Sequence, residues 1–309
     1  MSLKSYISMY LKGFDRLRIN MSVLKNGQVN NYAILQTAHR LEKGLCMRNP
    51  RGLWGFDKAE LLIDLLAAEC SLEKPDIQTV KIGASVLSAY ITSKVSTNNK
   101  EEIARANMIH KKAEQKDILK YAEIEYGGAI TLNQSDILLD SEYSERLFLT
   151  RHSVRDFAET PVDMKKLERA VGLALQAPSA CNRQASQIYV ISGDDRKKAG
   201  SSNEYHADKY LIITGNMRAF TVSELNDWIV STSIFCGYLS LALHAEGIAS
   251  CIFRKDTIRE SNYNKAIRKL CNIPADEQII LEMAIGNYKE KITVPVSSRR
   301  NPNDIIHIR

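Results

Sequence analysis

The apolar positions follow two regimes along the chain. Up to about residue 126 they recur at the three- and four-residue spacing of helices. Beyond about residue 186, short runs rich in Ile, Val and Tyr alternate with helical stretches. In residues 1–20, Leu3, Tyr6, Ile7, Tyr10, Leu11, Phe14 and Leu17 form one stripe, with Lys4, Ser5, Ser8, Lys12, Asp15 and Arg16 around it. This predicts an amphipathic helix docked on the body; the sharper reading is a basic helix lying on anionic lipid. A helix is expected over 30–45, then a turn-rich stretch over 48–56. Asp57 is the expected N-cap of a helix over 58–70, which Pro75 closes off. One or two helices are expected over 76–126, ended by Gly127 and Gly128, with a polar linker over 129–147. A further helix follows Pro161. Strands are expected over 187–193, 209–215, 248–253 and 278–286, with helices from about Ser223 and near 263–271. This order indicates a helical region over 1–145 and an α+β or α/β layered domain over 146–309.

The stretch 228–245 carries no Asp, Glu, Lys or Arg. Its length is near the minimum for a membrane-spanning helix. Three serines, a threonine, a glycine and a histidine favour a helix buried on all sides within a protein or a dimer.

Composition narrows the function classes. With 44% hydrophobic residues, the 309-residue chain can build a core. Its net charge of +6 invites a nucleic-acid reading. All of that charge lies in residues 1–50, which hold eight Lys or Arg against two acids, while the remainder is balanced. A neutral body without a nucleic-acid motif disfavours that partner. The six cysteines show neither CxxC nor zinc spacing, and no histidine shows metal spacing. Reduced thiols in a cytoplasmic protein are expected, with no metal site. His39, His110, His206 and His244 read as surface or satisfied core histidines.

Three segments carry candidate chemistry. In RHSVRDF, Arg151, His152, Ser153 and Arg155 combine two cations, an imidazole and a hydroxyl, groups that suit a phosphate and a polyol. In APSACNRQ, Pro178 ends a helix, and Ser179, Asn182 and Gln184 offer neutral polar groups to a planar heterocycle. In SSRRNPNDII, Arg299 and Arg300 form a second cationic point. The bland alternatives are a charged turn, ordinary turn chemistry and a basic tail.

Taken in order, these segments resemble the nitroreductase family of flavin enzymes. RHSVR is similar to the opening motif, and APSACNRQ to the Ala-Pro-Ser-x-x-Asn-x-Gln motif. HAEGIASC (244–251) resembles the helix-to-strand segment, Ile285-Gly286 ends a strand, and Arg300-Asn301-Pro302 is the closing Arg-x-Pro. The resemblance spans about 145–309. It implies an α+β fold with a central, mainly antiparallel sheet, in a homodimer with FMN at the interface. By motif position, Arg151, His152, Ser153 and Arg155 would hold the FMN phosphate and ribityl chain. Pro178, Ser179, Asn182 and Gln184 of the other subunit would meet the isoalloxazine. Arg300, with Arg299, would complete the phosphate site, and 228–245 would be the dimer helix. Because flavin carries the chemistry, no catalytic side chain is required. NADH or NADPH would reduce FMN, which would then reduce a nitro, quinone or biosynthetic acceptor; an oxidative direction stays open.

The chain departs from the family pattern. Ala185 stands where the family often has Pro, which is expected to widen the pocket, and Ser298 replaces a common Lys. The polar 193–209 segment suggests reduced substrate-covering helices. The N-terminal region lies outside the family core, and its HRLEKGL run resembles nitroreductase-like proteins of polysaccharide gene clusters. Residues 31–60 are expected to fold over the flavin cleft. The alternative function is a non-catalytic FMN-binding or membrane-surface docking protein using the basic N-terminal helix.

Overall fold

A computed structural model describes residues 27–47, 53–201, 203, 205–224, 226–253 and 261–308, together with Ile7, Arg18 and 21–23. Apart from Ile7 and Arg18, the helix expected over 1–20 lies outside the described residues.

The N-terminal half folds as helices α1 (Asn30–Leu45), α2 (Phe56–Cys70), α3 (Ile77–Val95) and α4 (Lys100–Gln115). Their apolar stripes converge: Ile34, Leu41, Leu62, Leu66, Leu87 and Ile109 are buried together. The cap of α2 differs from expectation. Gly55, at φ 85°, is the N-cap, and Asp57 lies in the first turn. Only glycine enters that left-handed turn at no steric cost, while Asp57 complements the helix dipole one residue in. The turn is tied down from α3 and α4. Buried Lys94 places Nζ 3.2 Å from Glu102 and 4.7 Å above the Trp54 ring, and Glu102 accepts the Leu53 N–H at 3.2 Å.

The expected linker is partly helical. It contains α5 (Gln134–Ile137) and α6 (Ser141–Thr150), the latter running through the boundary expected at residue 145. Polarity misleads here because Asp140 caps α6 by accepting the Glu142 N–H at 2.9 Å. This stretch leaves Ile130, Leu139, Tyr143, Phe148 and Leu149 exposed.

The C-terminal half orders as α7 (Met164–Ala174), β1 (Ser186–Ser192), α8 (Gly193–Lys198), β2 (Lys209–Asn216), α9 (Asp227–Ala245), β3 (Ile248–Phe253), α10 (Asn262–Leu270) and β4 (Glu277–Asn287). The strands form one antiparallel sheet in the order β1-β2-β4-β3. This is the α+β architecture, with a helical region before it. Alternation along β2 serves two cores. Leu211 and Ile213 face α7 and α9, with Phe235 and Leu239. Tyr210 and Ile212 face Val154, Phe157 and Ile267.

Helix α9 is long and apolar enough to cross a membrane by length and composition, yet half of its most apolar window is buried inside the protein. Trp228, Phe235, Cys236 and Leu239 face inward, whereas Val230, Ile234 and Tyr238 remain exposed. One chain therefore covers only one face of a helix that, after Asp227 at its start, carries no Asp, Glu, Lys or Arg on either.

The two halves meet at α1. Tyr32 shares a buried cluster with Ala185, Met217, Phe220 and Trp228. Backbone and side chain reinforce this: the Val29 N–H donates to Arg218 O at 3.1 Å, and Gln28 Nε2 to Ala219 O at 2.9 Å.

Candidate functional site

The RHSVRDF segment is pinned to the edge strand β3. Ser153 forms a bridge with Ser250, and the Val154 N–H donates to Ser250 O at 3.0 Å. Val154 and Phe157 are buried anchors. Extended backbone sends alternate side chains to opposite sides, so with Val154 inward, Ser153 and Arg155 are left outward. Gly286 makes the fit possible: a Cβ there would meet the Phe157 side chain at 2.6 Å. At the end of β4, Asn287 O accepts the Ala158 N–H at 3.0 Å, and Asn287 Nδ2 donates to Thr160 Oγ1 at 2.9 Å.

Arg151, His152 and Ser153 are half-buried and Arg155 is exposed. Among the described residues, neither Arg151 nor Arg155 forms a salt bridge, so the segment keeps uncompensated positive charge. Two neighbours respond to it. His244 bonds through Nδ1 to Tyr288 Oη and through Nε2 to Thr150 Oγ1, both at 2.8 Å. Burial, then the charges of Arg151 and His152, hold its pKa below the ordinary histidine value. Cys251 is pushed up by burial, an effect that Arg155 and Arg151 partly offset. His244 is thus the satisfied histidine that was expected. Its position beside the cations was not legible, because it comes from the far end of α9.

The APSACNRQ segment sits elsewhere, against the start of α9. The Ala180 N–H donates to Ser231 Oγ at 3.2 Å, and the Gln184 N–H to Ser179 Oγ at 3.1 Å. Gln184 Nε2 lies 3.3 Å from Asn182 Oδ1. Cys181, Asn182 and Gln184 all have positive φ, near 50°. Pro178, Ser179, Gln184 and Phe235 line a hollow of only about 10 Å³, room for roughly one water. Ala185 does not widen it. Its side chain is buried in the cluster that contains Tyr32, so α1 takes up the space.

The structure sets the RHSVR segment against HAEGIASC but leaves the APSACNRQ turn apart. Ser231 bonds to the second motif and His244 stands beside the first, thirteen positions apart on α9, a rise of about 20 Å. The closing segment also stays apart. Arg299 and Arg300 are exposed and, among the described residues, bond within the tail, Arg299 to Ser297 O and Arg300 to Asp304 O at 3.3 Å. Four contributors escaped sequence reasoning: Gln36 and Glu224, which bond the buried Arg183 guanidinium inside the APSACNRQ turn, Ser231, and Tyr32, which packs in the cluster with Ala185. A polar Gln36 on the apolar face of α1 was the only signal among them.

Residues 149–212 match the nitroreductase family model. The matched segment is about a fifth of the chain. It starts two residues before Arg151 and ends within β2, so it holds both RHSVR and APSACNRQ. An iodotyrosine deiodinase from Drosophila melanogaster is 34% identical over 77 residues, covering 25% of this chain and 25% of that protein. The match thus spans a quarter of the curated relative's length. An FMN-dependent nitroreductase from Clostridium difficile is similar in structure at 21% identity, with TM-score 0.42, over 52% of this chain and 96% of that one. A nitroreductase family protein from Streptococcus pneumoniae is similar at 19% identity, with TM-score 0.44, over 54% and 100%.

Proposed function

We propose that the protein is a flavin oxidoreductase that uses FMN, is reduced by NADH or NADPH, and passes two electrons to an electron-poor organic acceptor of nitro, quinone or biosynthetic type. The observation that carries this reading is the pair of nitroreductase-like motifs held on one scaffold. One presents uncompensated cations, and the other presents neutral polar groups around a turn.

The residues fit the group. Arg151 and Arg155 lack carboxylate partners among the described residues and would neutralise a phosphate, with Ser153 and His152 toward the ribityl hydroxyls. Ser179, Asn182 and Gln184 carry donors and acceptors suited to the edge of a flavin ring. When bound, FMN supplies the hydride-accepting chemistry. The chain's own contribution is to position the ring, offer hydrogen bonds to it and exclude water.

The two motifs lie near opposite ends of α9 in one chain, and the hollow at the second is far too small for a flavin. A homodimer accounts for both features in this reading. Two-fold pairing along α9 would cover Val230, Ile234 and Tyr238. It would bring the RHSVR segment of one copy to the APSACNRQ turn of the other. The exposed apolar stretch of residues 130–149 and the tail carrying Arg299 and Arg300 would then wrap the second copy. A cytoplasmic location belongs to this proposal and is supported by six free cysteines.

The test is the visible spectrum of the purified chain. A flavin band, released on denaturation and bleached by NADH or NADPH, is the expected result. A colourless protein that does not bind added FMN would overturn the reading.

A further inference from the structure

Arg183 lies between two residues of the proposed flavin-facing turn, yet its own side chain is fully buried. Its Nη2 donates to Glu224 at 2.7 Å, and its guanidinium stacks 4.9 Å from the Phe220 ring centroid. The third partner comes from the N-terminal region. With its amide oxygen turned toward the guanidiniums, Gln36 accepts from Arg183 and also from Arg40 Nη2 at 3.1 Å. Nε and Nη1 have no partner among the described residues. The charge is therefore retained in the interior by Glu224, Gln36 and one aromatic face. Glu224 answers it: although burial opposes, the Arg183 hydrogen bond and the Thr221 N–H hold its carboxyl below the usual value.

This investment sits at a strained place. Left-handed backbone at a non-glycine residue costs on the order of 1–3 kcal/mol and persists only where the surroundings enforce it. Here Cys181, Asn182 and Gln184 all adopt it around Arg183. The backbone bonds of the turn are local: the Asn182 N–H reaches Ser179 O at 2.9 Å, and the Arg183 N–H reaches Ala180 O at 3.3 Å. The side-chain ties of Arg183 are long-range.

We propose that Arg183 is a positioning residue that holds Asn182 and Gln184 in their left-handed, flavin-facing conformation. By this inference α1 is an integral part of the cofactor site through Gln36, and not an appended domain. The inference rests on the FMN reading for what the turn faces, and on geometry alone for what holds the turn.

The test compares full-length wild type with Arg183→Met, Arg183→Lys, Gln36→Leu and the double variant Arg183→Met/Glu224→Met. Three quantities are read: thermal midpoint, FMN affinity by fluorescence quenching, and amide exchange of residues 180–185 in the flavin-free protein. Arg183→Met strands a buried carboxylate and loses stability; the double variant removes both charges and recovers it. FMN affinity is expected to fall about tenfold or more in both, with an intermediate fall in Arg183→Lys and Gln36→Leu. Exchange of the turn is expected to quicken in both, while β2 stays protected. Should Arg183→Met fail to fold, the double variant and Gln36→Leu carry the test. Wild-type FMN affinity and unchanged turn exchange in the folded double variant would overturn the positioning role. If wild type binds no FMN, the flavin reading falls, and the exchange data alone decide whether Arg183 holds the turn.

Discussion

Replacing Ile234 with Glu tests the exposed face of α9. Ile234 is 38% exposed, flanked by Val230 at 54% and Tyr238 at 44%. Burying a whole aliphatic side chain contributes about 1.5–3 kcal/mol. Covering the exposed part of these three residues is therefore worth roughly 1 kcal/mol each. In the proposed two-fold interface every residue counts twice, so this patch would supply about 6 kcal/mol. A carboxylate at 234 removes about 1 kcal/mol of that per copy and buries an unpaired charge, at a cost on the order of 3–5 kcal/mol per copy. The two carboxylates also approach each other across the axis. The sum exceeds 5 kcal/mol, so dimer affinity should fall by more than about a thousandfold. Sedimentation equilibrium at micromolar concentration reads this directly. Wild type is expected at twice the chain mass of 34.8 kDa, and Ile234→Glu at the chain mass. Because Ile234 does not contribute to the chain's own core, circular dichroism should be unchanged. A variant that stays at twice the chain mass would refute the placement of the interface on this face.

Other perturbations address the scaffold. Gly286→Ala forces a methyl group into Phe157 and should destabilise by about 1–3 kcal/mol, read as a lower urea midpoint. FMN affinity should fall with it, because Phe157 anchors the RHSVR segment. Arg196→Met leaves Glu282 buried opposite an apolar side chain where a 3.2 Å ion pair stood; a loss of about 3–5 kcal/mol is expected, largely restored by adding Glu282→Met. His244 has a lowered folded-state pKa, so the unfolded chain binds the proton more readily and stability falls as pH drops below about 6.5. His244→Gln should flatten that part of the urea-midpoint profile; an unchanged slope would show that His244 does not cause it.

Most of the architecture was written in local patterns. The apolar period of 30–45 and the Ile-rich runs of the strands define their elements almost to the residue, because local periodicity and burial agree there. The start of α2 was misread because Gly55 caps through backbone conformation, while Asp57 carries the side chain that usually signals a cap. The helix over 141–150 was hidden because none of its residues is buried in the chain, so it leaves no clean apolar stripe. The motif residues were legible as chemistry but not as one place. Arg151 and Asn182 lie beside opposite ends of α9, a placement that no spacing in the sequence encodes. Gln36 and Glu224 escaped notice for a related reason. Each is a single polar residue whose meaning depends on a buried guanidinium contributed from another segment.

The central claim is that one flavin site takes its phosphate-binding cations from one copy and its ring-facing turn from another. Mixing two inactive variants tests this most directly. Arg151→Ala/Arg155→Ala lacks the cations, and Asn182→Ala/Gln184→Ala lacks the turn side chains. Each alone should bind FMN poorly. After co-expression and purification of the mixed dimer through two different tags, one intact site should form from the undamaged half of each copy. One tightly bound FMN per mixed dimer is expected, measured from the absorbance of the flavin released on denaturation. A mixed dimer that binds no more FMN than either variant alone, alongside a wild type that binds it tightly, would contradict the account.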